Sequence, residues 1–276
     1  MKTGTSTKQK TRILTECSVM IALTTVLSII KLFEMPYGGS ITPASMLPIV
    51  VIAHRYGTKV GFSSAVIASL IQALLGLKNF SYFTTALSLF ALGVFDYLLA
   101  FGVFGIVGLF KKKTVPGWLS ATLGAFSASI LRYICHVISG ATVWAGLSIP
   151  TEAAIIYSLS YNATYMIPET IILVLATAYI TASLDFTKKT PVRLKREKRN
   201  TLSASLYGAA GLVVLIALIA DTVIVFSKLQ NGDSGELMLS GISSVNGALI
   251  AVVSIGALVL SGILILSARI YSKKAK

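Results

Sequence analysis

The stretch that decides the fold runs from residue 83 to 110: Phe83-Thr-Thr-Ala-Leu-Ser-Leu-Phe-Ala-Leu-Gly-Val-Phe-Asp96-Tyr97-Leu-Leu-Ala-Phe-Gly-Val-Phe-Gly-Ile-Val-Gly-Leu-Phe110. It holds a single charge, Asp96, near its centre. A helix needs roughly 20 mostly apolar residues to cross the hydrocarbon core of a bilayer, and this run exceeds that length. Further apolar runs predict helices at 12–33, 44–54, 57–77, 116–143, 154–184, 203–228 and 238–270. The second is too short to cross fully and is expected to be tilted or interrupted. The chain is 55% hydrophobic and 12% charged, with mean hydropathy +0.81. Soluble domains carry about 25% charged residues. The expected fold class is therefore an all-α integral membrane protein. The first apolar run is span-length and lacks a clear cleavage site, so it is read as a retained helix.

A net charge of +14 raises the question of nucleic acid, and its distribution answers against it. Lys2, Lys8, Lys10 and Arg12 precede the first apolar run, Arg55 and Lys59 follow the second, and Lys111, Lys112 and Lys113 follow the fourth. Seven more lie between Lys188 and Arg199, and Arg269, Lys273, Lys274 and Lys276 close the chain. Lys31, Lys78 and Lys228 fall near the opposite side. Such asymmetry orients membrane proteins with the basic loops inside, which predicts a multi-pass protein of the cell membrane with both termini cytoplasmic. The basic, proline-containing segment 186–202 reads as a cytoplasmic linker between a six-helix body, 1–185, and a two-helix transmembrane extension, 203–276. A basic stretch beside the membrane also attracts anionic headgroups.

Polar residues within the apolar runs carry the functional signal, because ionisable groups at membrane depth are costly and pair, line a cavity or mark a ligand path. In the fifth predicted helix Arg132, His136, Gly140 and Trp144 recur every four residues and share one face. The sixth carries Tyr157, Tyr161, Asn162, Tyr165 and Glu169, and the fourth brings Asp96 and Tyr97 to its middle. Single residues admit plainer readings. Arg132 could form a structural pair with Asp96 or Glu169, and Trp144 could be an interfacial anchor. Taken together, three helices concentrating carboxylate, imidazole, amide and aromatic groups predict a small-molecule pocket. The chain contains no GxxxxGK[ST], HExxH or GxSxG. Cys17 and Cys135 both fall inside predicted helices, which gives neither a disulfide framework nor a metal motif.

Arg132-Tyr-Ile-Cys-His136-Val-Ile-Ser-Gly140-Ala-Thr-Val-Trp144, followed by Tyr157-Ser-Leu-Ser-Tyr-Asn162, closely resembles the ThiT (YuaJ) family. Members are thiamine-specific substrate-binding subunits, or S components, of energy-coupling factor (ECF) transporters. Pro36-Tyr-Gly-Gly-Ser40-Ile-Thr-Pro-Ala-Ser-Met46-Leu-Pro48 resembles the family's first loop, and Asp96-Tyr97 its acidic-aromatic pair. The likeness covers about residues 12–185. It implies thiamine contacts at Asp96, Tyr97, His136, Gly140, Trp144, Tyr157 and Asn162. Arg132 would lie near the hydroxyethyl end. The carboxylate and amide suit the aminopyrimidine, and an indole face suits the cationic thiazolium. The glycine-rich first loop is expected to act as a lid. The resemblance implies no cofactor in this chain; the ATP is used by two cytoplasmic ATPase subunits, joined through a transmembrane coupling subunit. It places the coupling surface at Ser18 and Ala22, a small-xxx-small pair of the first helix.

The predicted extension is a transmembrane hairpin, in which Asp221 and Asn246 lie at matching depth and are expected to hydrogen-bond. Two other functions remain open at this stage: an S component for another small vitamin, and an intramembrane enzyme acting on a lipid or cofactor precursor.

Overall fold

The computed structural model describes residues 7–35, 37–111, 114–145, 154–194, 201–229 and 239–274. Eight principal helices appear: α1 (Thr7–Ile29), α2 (Leu47–Tyr56), α3 (Thr58–Leu75), α4 (Ala86–Phe110), α5 (Gly117–Thr142), α6 (Ala154–Ser183), α7 (Thr201–Leu229) and α8 (Gly247–Lys274). Among the described residues, α1, α3, α4, α5, α6 and α8 are long and apolar enough to cross a membrane. The protein is thus an all-helical, multi-pass membrane protein. The chain divides into two compact units, Met1–Arg193 and Leu194–Lys276.

α2 is the interior helix of the first unit. Its ten residues span about 15 Å, half a bilayer core. Pro48 stands in its first turn, where a missing N–H costs nothing, and residues 48–54 are all buried. A helix apolar on every side must be enclosed by others. Gly57, at φ 86°, turns the chain directly from α2 into α3.

Around α2 the helices approach closely because the contact points lack side chains. A Cβ on Gly105 of α4 would stand 2.4 Å from the Phe62 Cα of α3, and one on Gly61 would stand 2.7 Å from the Ala53 Cα of α2. In lipid, where apolar burial gives little drive for association, such close backbone packing is a main source of cohesion.

α4 departs from regular helix in its middle. Gly93–Leu99 is a π-helical segment, and Val103–Phe110 winds as 3-10 helix. π segments cluster at functional sites because the extra residue re-aims neighbouring side chains. Here the segment contains Asp96 and Tyr97. In α6, Pro168 withdraws one helical N–H between Tyr165 and Glu169.

Several helix ends differ from the sequence expectation. α1 begins at Thr7, so Lys8, Lys10 and Arg12 lie in its first turns rather than before it. It ends at Ile29 because Phe33–Glu34 pairs with Ser40–Ile41 in a short antiparallel hairpin. After α6, Leu184–Asp185 pairs with Val192–Arg193, so the start of the expected linker is folded into the first unit. Residues 195–200 lie outside the described residues.

In the second unit α7 packs along α8, and Ala210, Ala217, Ser261 and Ala268 are buried. Asp221 accepts a hydrogen bond from Ser254 Oγ at 2.6 Å, not from Asn246. Asn246 instead stands just before α8, where its Oδ1 accepts from the Leu249 amide at 3.1 Å. That is an N-cap geometry.

Candidate ligand-binding site

Asp96 is the hub of the polar cluster. The π segment of α4 turns its carboxylate toward α5, where three donors meet it. His136 Nδ1 lies 2.9 Å from Oδ1, while Ser139 Oγ and Trp144 Nε1 donate to Oδ2 at 2.7 and 2.9 Å. Arg132 Nε donates to His136 Nε2 at 3.3 Å. An arginine N–H can only donate, so Nε2 accepts and the imidazole proton sits on Nδ1, directed at Asp96.

The chain of contacts continues from Arg132 to α6. Its Nη1 donates to Glu169 Oε2 at 3.0 Å, with the two side chains only 10% and 7% exposed. Thr42, just after the hairpin, donates to Glu169 Oε1 at 2.7 Å. The Arg132 guanidinium also lies over the Phe101 ring at 4.5 Å. Of the two acidic partners open to Arg132, Glu169 is the one that pairs directly. Asp96 is reached through His136.

These groups floor a pocket bounded by α4, α5, α6 and the loop before α2. Asp96, Tyr97, Arg132, His136, Gly140, Trp144 and Asn162 all line it. Tyr157, the remaining candidate, is instead packed against the buried apolar cluster. One and two turns further along α6, Tyr161 and Tyr165 reach the pocket wall. Tyr161 donates to the Gly38 carbonyl at 2.8 Å, and Tyr165 donates to Asn162 Oδ1 at 2.7 Å. Asn162 Nδ2 in turn donates to the Ser158 carbonyl at 2.9 Å.

The loop before α2 closes the pocket. Gly38 and Gly39 take φ of 90° and 87°, and a Cβ on Gly39 would stand 2.7 Å from the Tyr165 ring. Only glycine meets both demands. Tyr97 hydrogen-bonds with Asn79 at 3.0 Å and with the Gly76 carbonyl at 3.2 Å, and stacks on Phe80 at 5.4 Å. Trp144 meets Phe83 edge-on at 4.9 Å and Tyr82 at 5.8 Å.

Tyr37, Asn79 and Phe101 also line the pocket and are absent from the sequence-based candidates. Tyr37 lies in the quoted glycine loop, which was the available signal. Asn79 and Phe101 lie outside any readable pattern. Ser18 and Ala22 are not among the residues lining this pocket; both are exposed on α1, flanking its buried stripe of Cys17, Ile21 and Thr24.

With both carboxyl groups ionised and His136 in the neutral tautomer, Glu169 and Asp96 against Arg132 leave one net negative charge. A buried network of this kind is completed by a cation. With aromatic rings around it, the pocket suits a small, flat, singly positive ligand.

Residues 14–188 match the thiamine transporter protein family (Thia_YuaJ). The chain is 35% identical over 188 residues to the thiamine transporter ThiT of Bacillus subtilis, spanning 63% of this chain and 93% of that protein. It also resembles a solved structure of ThiT from Listeria monocytogenes, with TM-score 0.51 and 22% identity, over 62% of this chain and 93% of that one. That structural likeness concerns the fold alone, whereas the sequence match concerns lineage. Residues 189–276 lie beyond the family match. On the strength of its first 188 residues, the chain belongs to the thiamine transporter protein family.

Proposed function

We propose that this chain binds thiamine on the outer face of the cell membrane and hands it inward as the S component of an ATP-driven ECF transporter. The observation that carries this reading is the Asp96 carboxylate at the floor of an aromatic pocket, paired with no arginine or lysine among the described residues. Thiamine has one fixed positive charge, on its thiazolium, and an aminopyrimidine able to donate and accept hydrogen bonds. Trp144 and Tyr161 supply aromatic surface for flat rings, and cation–π contact contributes about 0.5–2 kcal/mol. Asp96, His136 and Asn162 supply the polar contacts by exchanging some of their present partners for the ligand.

Orientation follows from α1. It runs from the basic end, at Lys8 and Arg12, to the end that leads into the glycine loop over the pocket. If basic ends lie inside, the pocket opens outward. In this reading the energy for uptake comes from partner ATPases, and the sequence itself contains no GxxxxGK[ST] phosphate-binding loop. The coupling subunit would dock on α1 at Ser18 and Ala22, with two ATPases beneath it.

Isothermal titration of the purified chain tests the assignment. Saturable binding of thiamine, recovered chemically unchanged, is expected. No thiamine binding at micromolar concentration, with another vitamin bound instead, would remove thiamine as the substrate. Conversion of the ligand would favour an enzyme. Uptake that persists without the ATPases would favour a solitary carrier.

A further inference from the structure

A second cleft, of about 790 Å³, lies at the other end of α1 and has no part in the pocket chemistry. Lys8 and Arg12 enter it from α1, Arg55 from the last turn of α2, and Lys111 from just beyond α4. Lys188 and Lys189 close it from the turn between the two short strands that follow α6. Six cations from four separate chain segments therefore face one space.

The cleft is built rather than incidental. Arg55, its side chain 5% exposed, donates to the Phe186 carbonyl at 3.4 Å and the Lys189 carbonyl at 2.5 Å. It thereby fixes the turn that presents Lys188 and Lys189. Lys111 Nζ donates to the Arg55 carbonyl at 3.3 Å. Glu16 neutralises part of the charge, pairing with Arg55 at 3.1 Å and Arg12 at 3.5 Å and accepting from Tyr56. Among the described residues, Lys8, Lys111, Lys188 and Lys189 have no carboxylate within salt-bridge distance. Asp185, the nearest acid in sequence to Lys188, is engaged by the amide and hydroxyl of Thr187.

We propose that this cleft binds the phosphate of an anionic phospholipid headgroup. Four ammonium groups outside any salt bridge among the described residues, set around a fixed arginine, suit a multidentate oxyanion. Position favours a lipid over a free ion, because every contributing helix end lies at one membrane boundary. Leu109, just before Lys111, is exposed and offers apolar surface at this end of α4. Basic pockets between spanning helices on the cytoplasmic side are a known mode of headgroup capture. The inference is independent of the identity of the pocket's ligand.

The test compares the full chain with a variant carrying Lys8→Gln, Lys111→Gln, Lys188→Gln and Lys189→Gln. Arg55 is left in place because it holds the turn. Both proteins are placed in lipid nanodiscs containing equal phosphatidylglycerol and phosphatidylcholine, extracted gently, and weighed by native mass spectrometry. The native chain is expected to retain phosphatidylglycerol in preference to phosphatidylcholine, and the variant to lose that preference by at least about tenfold, each lysine near an anionic surface contributing roughly fivefold. Size-exclusion profiles and melting temperatures verify that the variant is folded. Equal retention of the two lipids by the native chain, or undiminished preference in a folded variant, overturns the proposal. So does displacement of phosphatidylglycerol by millimolar inorganic phosphate, which would assign the cleft to a free anion.

Discussion

Asp96 and Asp221 are carboxylates set within long apolar helices of the two units, and their surroundings differ sharply. Asp96, in the first unit, receives three donors and belongs to a connected path through His136 and Arg132 to Glu169. Asp221, in the second, has one identified partner, Ser254, and its other oxygen is buried without one. α8, on which Ser254 stands, exposes apolar side chains along most of its length. The difference teaches that intramembrane charge alone does not mark a ligand site. What marks it is a polar network that borders a cavity and retains unbalanced charge.

The comparison breaks most visibly at Arg132. Removing one member of a buried ion pair leaves the other charged and unpaired, at a cost of about 3–5 kcal/mol. Arg132→Ala should therefore lower unfolding stability in detergent by about that amount. Arg132→Met combined with Glu169→Gln should recover most of it, since the stranded carboxylate is gone. A single variant as stable as the native chain would show that the pair contributes little to the fold.

Asp96→Asn sharpens the functional half. The amide keeps an acceptor for Ser139 or Trp144 but removes the negative charge that a cationic ligand would balance. Losing one partner of a desolvated charge interaction typically costs about 2–5 kcal/mol. Thiamine affinity is expected to fall by roughly 100-fold or more, read by the same titration that establishes binding. A change of less than about threefold would sink the charge-balance argument while leaving the family assignment intact.

Much of this contrast was legible in the residues, for reasons of periodicity. A four-residue spacing on a helix fixes a common face, so Arg132, His136 and Gly140 had to converge whatever the tertiary fold. Trp144 joins them from just beyond the end of α5, where its indole N–H meets Asp96. The pairing of Arg132 with Glu169 rather than Asp96 was not decidable, because it depends on how α4 and α6 lie against α5. The π segment was also hidden: Gly93–Leu99 has the composition of any apolar helix, and a one-residue change in winding leaves no pattern. Tyr157 illustrates the same limit. It shares the α6 stripe with Tyr161 and Tyr165, yet the position of the pocket along the helix axis decides which rings reach it.

The expected partner of Asp221 failed for an instructive reason. Depth was counted from an eighth helix beginning at residue 238, but Leu239–Ser244 is a 3-10 segment and α8 starts at Gly247. Asp221 lies eight residues before the end of α7 at Leu229, and Ser254 seven after the start of α8. Antiparallel helices match those depths, leaving Asn246 at the cap. A hydrogen bond between membrane helices is worth about 0.6 kcal/mol on average. Asp221→Asn should thus change stability by no more than about 1 kcal/mol, in the same unfolding assay used for Arg132. Thiamine affinity should stay within about twofold, because the described residues that line the pocket belong to the first unit. A loss approaching that of Arg132→Ala would mean that the second Asp221 oxygen is as heavily engaged as Asp96. The two carboxylates would then belong to one class rather than two.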